Sequence, residues 1–194
     1  MEITADDSWT TVEKNERVKT PKAEDLIADL VQGLPTEIPI HPQPLVVFLV
    51  GLPGSGKTLL CRILAQVRPA WIRISQDDLG SKEDCLRVLS QSLQAGQSVV
   101  IDRCNLSLVQ RRKFLKASRG YPRVALVLEV TPEECIRRCQ QRRGHPTLPP
   151  HKAPSIVRTM QRERQPLQPR DFQAIVTLRP EDWQSSLSDF LRQY

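Results

Sequence analysis

The chain contains an octapeptide whose residue types and spacing suit phosphate binding, Gly51-Leu52-Pro53-Gly54-Ser55-Gly56-Lys57-Thr58. It follows an apolar run at 45–50 that predicts a buried strand, and a helical pattern follows it, the context in which G-x-x-x-x-G-K-[ST] binds nucleotides. Backbone N–H groups of Gly54, Ser55 and Gly56 are expected to surround a phosphate at the helix N-terminus. Lys57 would lie between the β- and γ-phosphates, and the Thr58 hydroxyl would take one position on Mg²⁺. We therefore predict a nucleotide site from Gly51 to Thr58. The pattern does not separate ATP from GTP.

Carboxylates follow the next two predicted strands and are candidates for acid–base and metal chemistry. In an open parallel sheet the ligand lies at the carboxyl ends of the strands, so Asp77, Asp78 and Asp102 should face the phosphate loop. We predict that Asp77 is the base that orients an acceptor hydroxyl and takes its proton. Asp78 is the alternative base, or else caps the next helix. Asp102 is predicted either to hold Mg²⁺ through water or to organise the neighbouring loop.

A group of arginines precedes Gly144, near the end of a predicted helix. A planar guanidinium that arrives on closure can stabilise the charge of a transferred phosphoryl group. We predict that arginines of this group, among them Arg138, contact the donor nucleotide and that residues around 137–160 form a lid. The alternative for Arg137 and Arg142 is a favourable charge at a helix C-terminus.

Strand and helix patterns alternate along the chain and predict an α/β fold. The pattern requires a central parallel five-stranded sheet with helices on both faces and a helical lid. Residues 1–44 are predicted to be an arm with one short helix at 24–34 and a proline-rich link, and 45–194 the catalytic domain. The predicted strands are 45–50, 71–75, 98–102, 123–130 and 174–178, and the later helices 81–95, 108–118, 132–143, 153–164 and 181–192.

Charge and cysteine content limit the class of protein. The segment 103–170 holds 16 Lys and Arg against 4 Asp and Glu, which favours a polyanionic ligand or else a solvated basic surface. Five cysteines, none in a C-x-x-C pair, predict reduced thiols in a cytoplasmic or nuclear protein. No apolar run is long enough for a membrane helix, so no membrane partner is expected. Cys135 and Cys139 could join two histidines around zinc, but core packing is the preferred interpretation.

Several segments together resemble the kinase domain of polynucleotide 5′-hydroxyl kinases, both the phage enzyme and the kinase half of the eukaryotic polynucleotide kinase 3′-phosphatase. They are the phosphate loop, Arg73-Ile74-Ser75-Gln76-Asp77-Asp78-Leu79-Gly80-Ser81, Val100-Ile101-Asp102-Arg103-Cys104-Asn105 and Gln110-Arg111-Arg112. The resemblance covers about 45–179. It implies a P-loop kinase fold, Lys57 and Thr58 on nucleotide and Mg²⁺, Asp77 as base for a 5′-hydroxyl, and Arg143 on the donor phosphates. It also makes Asp78, Asn105 and Arg111 substrate-binding or structural residues.

Two departures from the family pattern concern the acceptor. Gln76 stands where an arginine is usual, and Gly80 stands where the phage enzyme has an arginine. Three functions follow as hypotheses: a polynucleotide 5′-hydroxyl kinase using ATP, a kinase of small metabolites, and a nucleotide-dependent binding module without transfer. Nucleic-acid 5′ ends are the expected partner, a protein could bind the N-terminal arm, and a monomer is expected.

Overall fold

Five parallel strands form a single sheet in the order β2-β3-β1-β4-β5. The computed structural model describes residues 23–142 and 148–194. The strands are β1 Val46–Val50, β2 Ile72–Ser75, β3 Val99–Asp102, β4 Arg123–Leu128 and β5 Ala174–Leu178. The central strand β1 is buried along its whole length, as expected for a strand covered by helices on both faces.

Eight α-helices lie in the described part of the chain. They are α1 Ala23–Gln32, α2 Lys57–Val67, α3 Gln76–Leu79, α4 Lys82–Gln94, α5 Leu108–Ala117, α6 Pro132–Gln141, α7 Ala153–Arg162 and α8 Trp183–Gln193. Short 3-10 turns occupy Pro150–Lys152 and Pro169–Asp171. In those described segments no helix is both long and apolar enough to cross a membrane.

Alternate residues of the strands enter two separate cores, one on each face of the sheet. Val47 and Leu49 of β1 pack with α1, α2 and α8, whereas Val46, Phe48 and Val50 pack with α4, α5, α6 and α7. This division follows from the two-residue period of a strand. Helix α1 therefore belongs to the first core, in which Ile27 and Leu34 are buried.

The predicted α/β fold with a five-stranded parallel sheet and helices on both faces is confirmed. Element ends differ from the prediction by at most two residues, and β4 ends at Leu128 rather than at 130. The clearest difference is α3, a single helical turn directly after β2, which Gly80 ends with a positive φ of 79°. Asp77 thus lies on a helical turn and not in the loop that a strand end alone would suggest.

The topology brings the carboxyl ends of β1, β2 and β3 together at one edge. Ser75 at the end of β2 pairs in register with Asp102 at the end of β3. The loop that precedes α2 leaves β1 at this same edge. The predicted phosphate, acceptor and metal residues consequently share one end of the sheet.

Candidate active site

The phosphate loop packs directly against helix α6. A Cβ placed on Gly54 would lie 2.4 Å from the Cys135 carbonyl oxygen and 2.8 Å from Cys139 Sγ, and Gly54 has a φ of 85°. Both the backbone conformation and the contact therefore require glycine. The loop has no room for a side chain on its α6 side.

Lys57 is the first residue of α2 and its ammonium is folded over the loop. Lys57 Nζ donates hydrogen bonds to the carbonyl oxygens of Leu52 at 2.7 Å and Gly51 at 3.0 Å, and contacts Ser55 Oγ at 3.4 Å. Lys57 and Ser55 are both buried. The cation is thus held by main-chain oxygens at the N-terminus of a helix, where anions bind.

A cleft of about 590 Å³ opens above the loop. Lys57, Thr58, Asp77, Asp102 and Arg138 all line it. The structure therefore brings together the predicted phosphate, base, metal and arginine positions. Asp78, Asn105 and Arg111 do not line the cleft. Arg143 and Gly144 lie outside the described residues.

One arginine pairs with two of the three carboxylates at the carboxyl end of the sheet. Arg73 of β2 donates two hydrogen bonds to Asp102 Oδ2, from Nε at 2.9 Å and Nη2 at 2.6 Å, and its Nη1 pairs with Asp78. Asp77 has no hydrogen bond or ion pair within the described chain. Asp77 is therefore the carboxylate of the three that is free to accept a proton from a ligand.

Asp78 does not cap the following helix, contrary to one of the two alternatives. The cap of α4 is Ser81, whose hydroxyl accepts a hydrogen bond from the backbone N–H of Asp84. The side chain of Asp78 points instead to Arg73. Serine is a preferred cap because its oxygen replaces the missing acceptor for the first N–H groups.

The oxygen donors are consistent with Mg²⁺ bound mainly through a nucleotide. Thr58 supplies one hydroxyl in the cleft, and Mg²⁺ at such sites takes one or two protein oxygens in addition to phosphates and water. Asp102 also lines the cleft, and one of its carboxylate oxygens accepts two hydrogen bonds from Arg73. Within 23–142 and 148–194 no three His, Cys, Asp or Glu side chains are grouped as a metal site.

Asn105 and Arg111 are buried side chains that hold backbone carbonyl groups beside the site. Asn105 is fully buried with a φ of 49°, and its Nδ2 donates to the Leu49 carbonyl oxygen at 2.8 Å. Arg111 is also buried and donates to the carbonyl oxygens of Asn105 and Leu106, both at 2.8 Å. Burial lowers the pKa of the Arg111 guanidinium. These contacts place both residues in structural roles that fix the β3–α5 loop.

The Glu134 carboxylate orients two arginines of α6. Arg138 Nε donates to Glu134 Oε1 at 2.7 Å, and Arg137 donates to both carboxylate oxygens. Hydrogen bonds from Arg137 and then Arg138 lower the pKa of Glu134 to about 2. Arg138 reaches the cleft, whereas Arg137 does not line it.

Sequence reasoning missed three cations of the cleft: Arg62 of α2, Arg73 of β2 and Arg103 after β3. Arg62, Arg103 and Arg142 have no carboxylate partner in the described segments. Arg103 lies 5.3 Å from the centre of the Phe114 ring, and its Nη1 is buried without a hydrogen-bond partner. Arg103 could have been found from its position in the sequence, because it directly follows Asp102 at the end of a strand.

The two cysteines of α6 belong to the core and to the floor of the cleft. Cys135 and Cys139 are buried, and Cys139 also lines the cleft beside the phosphate loop. Burial raises the pKa of the Cys135 thiol to about 11 and also raises the pKa of Cys139. Both thiols are therefore protonated at neutral pH and act as small apolar side chains.

Comparison with known proteins places this site in a family context. A family model described as "AAA domain" matches residues 46–167. The chain is 43% identical to the Arabidopsis thaliana protein named "Transcription factor bHLH140" over 109 residues, which are 52% of this chain and 12% of that protein. It is 30% identical over 96 residues to a "Putative bifunctional polynucleotide phosphatase/kinase" of Acanthamoeba polyphaga mimivirus, with 47% of this chain and 22% of that protein covered.

The fold is also that of a solved RNA kinase. The structure titled "Crystal Structure of Fungal RNA Kinase" superposes with a TM-score of 0.57 at 20% identity, covering 70% of this chain and 74% of that one. Identity at this level supports the fold alone. This chain spans less than a quarter of the length of the Arabidopsis thaliana and mimivirus proteins that it matches.

Proposed function

Because the chain belongs to the AAA domain family of P-loop proteins and is a P-loop kinase of the polynucleotide kinase-like type, we propose that it transfers the γ-phosphate of ATP to a 5′-hydroxyl end of DNA or RNA. The observation that carries the proposal is the position of Asp77. It lies in the same cleft as Lys57 and Thr58, and Arg73 pairs with both neighbouring carboxylates but not with Asp77.

The reaction that this arrangement supports is an in-line displacement. Asp77 accepts the proton of the acceptor hydroxyl as its oxygen forms a bond to the γ-phosphorus, and the bond from phosphorus to the β–γ bridging oxygen breaks. Lys57 stabilises the charge on the β- and γ-phosphates, and a phosphate oxygen would replace its longest contact, to Ser55 Oγ. Mg²⁺, when bound, neutralises charge on the phosphates beside Thr58. Arg138, and Arg143 by the sequence prediction, stabilise the equatorial oxygens.

The unpaired cations favour a polyanionic acceptor over a small metabolite. Arg62, Arg103 and Arg142 line the cleft without carboxylate partners in the described chain. A nucleic-acid strand would place its backbone phosphates along such cations, and binding would release counterions. With about three phosphate contacts, a fourfold rise in salt should raise the acceptor KM about 20-fold.

The deciding experiment incubates the protein with Mg²⁺, γ-labelled ATP and 5′-hydroxyl oligonucleotides of DNA and RNA. We expect label on at least one oligonucleotide, and no label when Asp77→Asn replaces the wild type, with ADP affinity preserved. The control is Asp189→Asn, which changes an exposed carboxylate of α8 outside the cleft and should leave labelling unchanged. Absence of label from both oligonucleotides, with ADP bound normally, contradicts the proposal and favours a metabolite kinase or a binding module.

A further inference from the structure

The cleft carries more positive charge than the described part of the chain neutralises. Lys57 and five arginines line it, whereas Asp77 and Asp102 are the only carboxylates among its described lining residues. Two of the arginines, Arg73 and Arg138, form ion pairs with carboxylates. The other three have no such partner in 23–142 and 148–194; they are Arg62, Arg103 and Arg142. The cleft therefore favours a ligand that carries several negative charges.

Arg103 shows that part of this charge is fixed in place. Its guanidinium carbon lies 5.3 Å from the centre of the Phe114 ring, a contact that orients the cation over the face of the ring. Its Nη1 is buried and has no hydrogen-bond partner. Because a buried charge without a counterion costs free energy, a carboxylate bound on the cleft side of Arg103 would stabilise it.

The sequence upstream of α1 contains a matching run of negative charge. Residues 2–13, named the acidic segment below, hold no lysine or arginine and four carboxylates: Glu2, Asp6, Asp7 and Glu13. Four is also the excess of cations over carboxylates among the described residues that line the cleft. Trp9 lies within the acidic segment, and indole rings bind guanidinium groups face to face. The acidic segment thus has both the charge and the aromatic side chain that would complement the cleft.

Helix α1 places the acidic segment within reach of the cleft. Leu30 of α1 lines a second cavity, of about 240 Å³, together with Leu59 of α2, and Leu59 also lines the cleft. Ala23, the first residue of α1, lies about 10 Å from Leu30 along the helix axis. The linker 14–22 can span at most about 30 Å. The acidic segment can therefore enter the cleft without any movement of α1.

We propose that the acidic segment binds in the cleft against the arginines without partners and competes there with the polynucleotide. The inference rests on the proposed function only for the identity of the competing acceptor. A short linker gives an effective concentration on the order of millimolar. A segment that would bind as a free peptide with a Kd of about 1 mM therefore occupies the cleft about half of the time. Removing its charge should tighten acceptor binding about twofold.

The first test neutralises the acidic segment in the full chain. The variant carries Glu2→Gln, Asp6→Asn, Asp7→Asn and Glu13→Gln. Its affinity for a labelled 5′-hydroxyl oligonucleotide is measured by fluorescence anisotropy without ATP, at about 0.15 M salt. The control variant makes the same change in net charge at four exposed carboxylates outside the cleft: Asp29→Asn, Glu37→Gln, Glu181→Gln and Asp189→Asn. We expect the neutralised variant to bind the oligonucleotide about twofold more tightly than this control.

The second test uses Trp9 to report the position of the acidic segment. In a Trp71→Phe and Trp183→Phe variant, Trp9 is the only tryptophan of the chain, and preserved ADP affinity shows that the variant is folded. We expect acrylamide to quench Trp9 emission more strongly after the oligonucleotide is added, because the acidic segment is then displaced from the cleft. Neutralising the acidic segment should remove this response to the oligonucleotide.

Substitutions of the cleft show whether the acidic segment binds there or elsewhere. In the Trp9 reporter, Arg103→Gln with Arg142→Gln should increase quenching without any oligonucleotide. The matched control is Arg112→Gln with Lys116→Gln, which removes two exposed cations of α5 outside the cleft and should leave quenching unchanged.

Two outcomes would overturn the proposal. One is equal oligonucleotide affinity in the neutralised variant and its charge-matched control. The other is Trp9 quenching that responds to the α5 substitutions and not to those in the cleft, since the acidic segment would then bind another basic surface. If the cleft substitutions expose Trp9 but no oligonucleotide is phosphorylated, the proposed function fails and the contact of the acidic segment stands.

Discussion

Replacing Arg73 with methionine should lower stability, because this one side chain neutralises a buried carboxylate. The Asp102 side chain is 6% exposed and accepts two hydrogen bonds from Arg73. Hydrogen bonds to charged groups contribute roughly 1.5–3 kcal/mol, and the 36% exposure of Arg73 places the expected loss near the lower end, at about 2 kcal/mol. For a chain of this size, that loss corresponds to a fall in Tm of about 4–8 °C.

The assay is a double-mutant cycle of urea unfolding with Arg73→Met, Asp102→Asn and the double variant. Most of the loss in Arg73→Met comes from leaving Asp102 charged and unpaired, so adding Asp102→Asn should recover at least about 1 kcal/mol. The control is Arg87→Met, which removes an exposed pair with Asp84 and should leave the unfolding midpoint unchanged. If Arg73→Met unfolds at the wild-type midpoint, or if Asp102→Asn recovers nothing, the reasoning is refuted.

The same variant should also slow transfer. Arg73 joins the end of β3 to α3, the turn that carries Asp77, so its loss releases the base from its fixed position. We expect kcat to fall while ADP affinity stays within a few-fold of wild type. The kcat of Arg73→Lys should lie between those of wild type and Arg73→Met, because lysine keeps the charge but cannot make the forked contact. A loss of ADP affinity equal to the loss of kcat would show that Arg73 acts on the donor instead.

Three further changes have defined outcomes. Gly54→Ala should abolish ADP binding in calorimetry, because its Cβ would overlap the Cys135 carbonyl, whereas Gly96→Ala, which also has positive φ but open space, should keep wild-type affinity. The Tm of the wild type should fall as the pH drops from about 4.5 to about 2, because the Glu134 carboxylate is then protonated and loses its charged contacts with Arg137 and Arg138. The Tm of Glu134→Gln should lack this dependence on pH. Arg111→Met should lower unfolding free energy by roughly 3 kcal/mol in urea, because several buried carbonyl oxygens lose their donor, while the folded protein keeps its ADP affinity.

The sheet and the phosphate loop could be predicted from the sequence because each has a local signal. The glycines, Lys57 and Thr58 stand at fixed spacing after an apolar strand, and proline or polar caps mark several helix starts, such as Pro132 in α6. The alternation of strands and helices then leaves few topologies. The edge at which the site lies follows from these rules, whereas the strand order is known from the structure.

The ion pairs of the site could not be predicted, since they depend on register between strands that are distant in sequence. Arg73 meets Asp102 only because Ser75 and Asp102 are paired in register across β2 and β3. The burial of Arg111 has the same origin, because its carbonyl partners include Pro166, far along the chain. A charged pattern such as Gln110-Arg111-Arg112 indicates a surface, and tertiary packing overrides that expectation.

The close contact of Gly54 with helix α6 has a mechanical consequence. With no side chain and no gap between the loop and the Cys135 carbonyl, inward movement of α6 cannot be absorbed at the contact. Any such displacement must pass to the backbone that surrounds the phosphates. The helix that supplies Arg138 and the phosphate loop therefore move together. Substitutions on the outer face of α6 can consequently change turnover without contacting a ligand.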